Sequence, residues 1–241
     1  MPGPYSELKE NAKRQMQESK PRAVIFGALY FLISLVLSNL VYRLIGYQDY
    51  MTDFLKMSAD VMQNGAEPYL VPYPQVNGAA FALSFLLVVM DVIMQFGMDS
   101  VCLSVSRGKS LAIWDLFDGF NHFGKVACLM LLRGLLVAIG LTLLIVPGVI
   151  LRYCYRTAVF VMLDHPEMGV IQCLRESRRQ NQGHKMELFG LDLSFIAWLL
   201  ISYIAYNVPN IWVTPFMGIT LANWYNRHNG FAPKPDDSAD L

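Results

Sequence analysis

Six formal charges stand inside long apolar stretches of this chain: Asp91, Asp99, Arg133, Arg152, Arg156 and Asp192. In hydrocarbon each such group costs ~2.5–3.5 kcal/mol on insertion scales, so these residues turn inward and pair. Asp91, Gln95 and Asp99 share one face of a helix at i, i+4 and i+8, as Arg152 and Arg156 do at i and i+4. Counting from the ends of each stretch places Asp91 level with Arg156, and Arg133 near Asp99 and Asp192. Asp91 is therefore expected to face Arg156, and Arg133 to meet Asp99 or Asp192, while Arg152 snorkels to the boundary. Such a set has two uses: an ion-pair network that holds helices in register, or a polar pathway for an ion or small ligand. Three negative charges against three positive, with no further polar lining, favour the network.

Other chemistry finds little footing. The sequence holds no HExxH, no phosphate-binding loop and no GxSxG. His122, His165, His184 and His228 are scattered and suggest no metal site, and no cofactor is implied. Cys102, Cys128, Cys154 and Cys173 make no CxxC pair, so they are read as packing residues rather than a disulfide or zinc framework. Arg175, Arg178 and Arg179 form a basic cluster that could hold anionic lipid headgroups, at about 1 kcal/mol per residue near a membrane surface. No basic stripe with interleaved aromatics points to nucleic acid.

The elements that position these residues are apolar blocks at roughly 23–44, 80–104, 125–146, 148–163, 187–206 and 211–225. Most match the ~20 helical residues that cross ~30 Å of hydrocarbon. Hydrophobic residues make up 54% of the chain and charged ones only 16%, with a mean hydropathy of +0.36. That composition is too apolar for a water-exposed surface. The net charge is zero, but its distribution is informative. Lys9, Lys13, Arg14, Lys20 and Arg22 precede the first block. Arg107, Lys109 and Lys125, then Arg175, Arg178, Arg179 and Lys185, then Arg227 and Lys234, share its side if the chain crosses six times. The opposite side holds Arg43 and Lys56 among four acidic residues. The positive-inside bias then places both termini in the cytoplasm.

The expected fold is all-α: a polytopic transmembrane bundle of about six membrane helices in three hairpins, with amphipathic interfacial helices. Residues 1–22 form a cytoplasmic amphipathic segment, with Leu8, Ala12 and Met16 at helical spacing. Residues 23–225 form one transmembrane domain with an outer loop 46–79 and inner loops 105–124 and 164–186. Residues 226–241 are a cytoplasmic tail. Val146-Pro147-Gly148 interrupts a helix of roughly 39 residues, about 58 Å at 1.5 Å per residue, and is expected to turn the chain. Val208-Pro209-Asn210 closes the last hairpin. In the outer loop, Tyr47, Tyr50, Phe54, Met57 and Val61 alternate spacings of three and four, predicting an amphipathic helix that Asn64-Gly65 ends. On the inner side Pro166-Glu167 is expected to open a helix, with Met168, Ile171 and Leu174 on one face and Gly183 after its end.

Particular stretches resemble a known group. Ile145-Val146-Pro147-Gly148-Val149-Ile150, Tyr153 and Tyr155, Asp164-His165-Pro166-Glu167, Arg175-Glu176-Ser177-Arg178, Gly183-His184-Lys185, Leu188-Phe189, Leu191-Asp192-Leu193-Ser194-Phe195, Trp198 and Trp212-Val213-Thr214-Pro215 are similar to the bacterial integral-membrane family known as domain of unknown function 975. Arg107-Gly108-Lys109, Phe117-Asp118-Gly119-Phe120 and Leu8-Lys9 with Ala12-Lys13 also suit it. The family's glycine-rich turn before the last helix is replaced here by Tyr206-Asn207-Val208-Pro209-Asn210, and the outer loop matches nothing in it. The resemblance implies a multi-pass protein of the bacterial cytoplasmic membrane, without an established activity or assigned catalytic residues.

The expected function is accordingly that of a non-catalytic integral membrane protein, an accessory or envelope-associated factor. Its partners would be the lipid bilayer and a membrane protein or a second copy of itself. The alternative is a small transporter or channel-like module that uses the intramembrane charges.

Overall fold

Every regular element in the computed structural model is helical. It describes residues 5–231 apart from 122 and 206, and apart from the side chain of residue 145. His122, Tyr206 and Lys234 therefore lie outside the described residues. The helices are α1 (Ser6–Glu18), α2 (Ala23–Leu44), α3 (Tyr47–Asn64), α4 (Gly78–Ser106), α5 (Asp118–Asn121), α6 (Phe123–Leu143), α7 (Ile145–Cys154), α8 (Ala158–Asp164), α9 (Val170–Gln180), α10 (Lys185–Leu193), α11 (Ile196–Ile204) and α12 (Asn210–His228), with a 3₁₀ turn at Ile113–Phe117. Among the described residues, four stretches are long and apolar enough to cross a membrane: α2, α4, α6 and the joined run Val146–Asp164. The pair α10 and α11 makes a fifth if its 43° bend is counted within one span. Six were expected. α12 falls short in apolarity, because Thr214, Thr220, Asn223 and Asn226 dilute it.

The chain divides into two units, residues 32–92 and the remainder. In the larger unit, α1 buries the expected stripe of Leu8, Ala12 and Met16 and packs along α12. Gln15 accepts from Asn223 Nδ2 at 2.9 Å and Glu7 pairs with Arg227 at 2.6 Å. α12 is buried almost continuously from Phe216 to Asn226, so it forms the spine of this unit. Its Pro215 cannot donate to the carbonyl of Ile211. Gly27 of α2 lies against that carbonyl and the proline ring, where any Cβ would collide with both.

Val146-Pro147-Gly148 is not the turn. Leu144 alone is extended, and α7 begins at Ile145, so Pro147 occupies the first helical turn, where its missing N–H leaves nothing unsatisfied. Gly148 serves close packing instead: a Cβ there would stand 2.6 Å from the backbone nitrogen of Leu141, and one on Gly140 would stand 2.9 Å from Gly148 Cα. The two glycines let α6 and α7 nearly touch, as small residues do at helix interfaces in lipid.

The run 146–164 breaks at residues 155–157, and side chains of α9 repair the break. Asn181 Nδ2 donates to the carbonyls of Tyr153 and Cys154 at 3.0 and 3.2 Å, and Ser177 Oγ donates to Cys154 at 3.1 Å. Thr157 joins them through Ser177 at 3.1 Å and Asn181 at 3.3 Å. Carbonyls freed inside an apolar bundle need such partners. α9 itself opens later than expected, at Val170, because Gly169 N–H is capped by Gln172 Oε1 at 2.8 Å. Its buried face is Cys173, Leu174 and Ser177; Ile171, expected on one face with Leu174, is 65% exposed.

The smaller unit has a different texture. α3 runs from Tyr47 to Asn64 and ends on Gly65 at φ +64°, as its periodicity and Asn-Gly stop predicted, yet none of its residues is buried. Tyr42, Tyr47, Tyr50 and Phe54 form an aromatic ladder with centroid spacings of 5.4, 6.4 and 6.5 Å, and Tyr73 joins Tyr50 at 5.5 Å. Asn77 Oδ1 caps the start of α4 by accepting from Ala80 N–H at 2.7 Å. Leu32, Val36, Phe81, Phe85 and Leu86 are exposed, as side chains facing lipid would be.

Candidate functional site

The structure brings some of the six charged candidates together. Arg156 Nη2 pairs with Asp192 Oδ1 at 3.1 Å, and Tyr153 OH donates to Asp192 Oδ2 at 3.2 Å. This joins α7 and the turn after it to α10. The expected partner Asp91 is replaced: Arg156 takes Asp192, which is held one helical turn before the bend between α10 and α11. That bend carries no glycine or proline to announce it, so the position of Asp192 could not be read from the sequence. Asp99 and Arg133 stand near enough for their charges to interact, as do Arg133, Arg152 and Arg156. Arg152 is exposed. Arg156 Nε is buried with no hydrogen-bond partner.

Asp91 belongs to the smaller unit. It lines a cavity of about 180 Å³ with Leu37, Ser38, Tyr42 and Leu87, and its Oδ1 is buried with no hydrogen-bond partner.

A stronger polar cluster lies around Arg107, a residue for which the sequence suggested only a basic loop position. Arg107, just past the end of α4, grips Asp164 at the end of α8 through two parallel bonds of 2.6 and 2.8 Å. Its Nε donates to Asn226 Oδ1 at 3.0 Å, and its guanidinium lies over the ring of Phe231 at 4.3 Å. Tyr225 OH donates to Asp164 Oδ2 at 2.9 Å, and Asn226 Nδ2 donates to Ser106 Oγ at 2.9 Å. The fork geometry and low exposure, 15% for Arg107 and 10% for Asp164, make this the best-formed ion pair among the described residues. The only sequence signal for it was membership of both residues in stretches that resemble the family. Nearby, a cavity of about 230 Å³ is lined by Phe96, Asn121, Lys125 and Pro166; none of the six charged candidates reaches it.

The basic cluster on α9 is split. Arg175 and Arg178 are exposed on the same side as Ile171, whereas Arg179 is tied to Glu176 by bonds of 2.8 and 2.6 Å. Those bonds hold the Glu176 carboxyl below its ordinary range. Burial pushes the Cys173 thiol up and the Lys9 ammonium down. Lys9 donates to the carbonyl of Ser194 at 2.8 Å and stands 4.1 Å over the Phe195 ring, so it fastens α1 to the break between α10 and α11.

Two of the scattered histidines meet. His184, immediately before α10, and His228, the last residue of α12, approach with ring centroids 4.6 Å apart. Glu187 lies between them: its Oε2 is 3.2 Å from His184 Nδ1 and 3.5 Å from His228 Nε2. The spacing His184-x-x-Glu187 places two of the three on one helix face, but the third comes from a distant helix.

The chain belongs to the family described as a protein of unknown function (DUF975), whose model matches residues 1–230. No curated protein and no solved structure matches the chain.

Proposed function

We propose that this chain is a multi-pass integral protein of the bacterial cytoplasmic membrane, acting without catalysis as an accessory or envelope-associated factor. The observation that carries this reading is the fate of its charges. Arg156 is taken by Asp192, which Tyr153 also bonds, and Arg107 by Asp164 and Asn226. Groups committed to one another fasten helices; a transport pathway would leave them facing a wet channel. Membrane location draws on the four long apolar helices. The Glu7–Arg227 contact supports an even number of crossings between those two residues. Either α10 and α11 re-enter, giving four, or they and α12 all cross, giving six. The positive-inside bias supports a cytoplasmic location for both ends. The exposed apolar helices and Arg175 and Arg178 would engage lipid, with a membrane protein or a second copy as partner and no role for nucleic acid.

A second reading, a small transporter, has one observation in its favour: the buried, unpartnered Oδ1 of Asp91 beside its cavity. Proteoliposomes loaded with a pH-sensitive dye decide between them. The accessory reading expects proton flux no greater than in empty vesicles, and Asp91→Asn to leave that unchanged. Flux that Asp91→Asn abolishes would replace it with the transporter.

A further inference from the structure

The meeting of His184, Glu187 and His228 calls for an explanation beyond helix packing. We propose that these three side chains bind a divalent transition-metal ion, zinc foremost, and so staple the start of α10 to the end of α12. The ligand set is two imidazole nitrogens and one carboxylate oxygen, which suits zinc and its borderline neighbours. One ligand atom from each residue lies within 4.8 Å of the other two. Zinc bonds of 2.0–2.2 Å in a tetrahedral array put neighbouring ligand atoms about 3.3 Å apart. The carboxylate oxygen already stands 3.2 and 3.5 Å from the two nitrogens.

The surroundings prepare those atoms. His228 Nδ1 meets the carbonyl of Trp224 at 2.9 Å; only a protonated nitrogen can donate there, so in the neutral ring the lone pair is on Nε2, the nitrogen that faces Glu187. A ligating histidine held through its other nitrogen by a carbonyl is the usual outer arrangement of a metal site. Trp224 Nε1 donates to Glu187 Oε2 at 3.3 Å, and its ring stacks on His228 at 4.1 Å, fixing both ligands. His184 is half-buried, while Glu187 and His228 are exposed, so an ion in the aqueous phase can enter. Three protein ligands leave a fourth position for water.

A simple hydrogen-bonded cluster would show the same contacts without affinity for metal, and titration separates the two. The full chain, purified in detergent with a tag free of histidine and stripped with EDTA, is titrated with Co²⁺ and followed by its visible absorption. The proposal expects one equivalent bound, displacement by Zn²⁺, and affinity at least roughly tenfold weaker in His228→Ala and Glu187→Gln. His165→Ala, which alters a histidine paired with Glu167 away from this cluster, should bind as the parent does. If His228→Ala loses helicity by circular dichroism, the comparison rests on Glu187→Gln. No Co²⁺ binding by the parent, or binding undiminished in Glu187→Gln with folding intact, overturns the proposal.

Discussion

The two units put their polar side chains to different uses. In the larger one, side chains tie element to element, Arg107 to Asp164, Arg156 to Asp192, and Asn181 to the carbonyls bared at the break after α7, while Arg156 Nε, Gln180 Oε1, Ser202 Oγ and Asn223 Oδ1 are buried without a hydrogen bond. In the smaller one α3 buries nothing and its ion pair Lys56–Asp53 is mostly exposed. Directional bonds admit one arrangement, whereas apolar surface and stacked rings tolerate several. The larger unit is therefore built to hold one structure, and the smaller to present a surface.

That contrast can be broken by substitution, with thermal unfolding in detergent as the measure. Asp164→Ala should do the most damage, about 3 kcal/mol, because it leaves Arg107 buried without its counter-ion and Tyr225 without an acceptor. Gly148→Ala comes next, at about 1–2 kcal/mol, since the new methyl would press on the backbone of Leu141, which cannot move aside as a side chain could. Lys56→Ala in the smaller unit should cost less than about 0.5 kcal/mol, as exposed i, i+3 pairs usually do. If Lys56→Ala proved as costly as Asp164→Ala, the distinction between the units would fail.

Much of the helix content was legible, because apolar runs of membrane length and the three-four spacing of α3 depend on local order alone. Punctuation was less so. Pro147 fits a turn and the first turn of a helix equally well, and the structure chose the helix. The bend between α10 and α11 arises at Ser194-Phe195, a pair that breaks no rule of propensity, and its carbonyl is secured by Lys9 from the far end of the chain. Pairing was least legible. Asp91 and Arg156 matched in depth, but depth does not say which helices are neighbours. His184 and Glu187 advertised a shared face, while His228 could be added only once α12 was in place.

The docking of α1 on α12 carries a consequence for biogenesis. Leu8, Ala12 and Met16 leave the ribosome long before the surface that covers them is synthesised. Until translation passes Asn223 and Arg227, this greasy ridge has no home within its own polypeptide. A nascent chain in that condition must rest the ridge on the bilayer or on a chaperone, and a message cut short before α12 would strand it there.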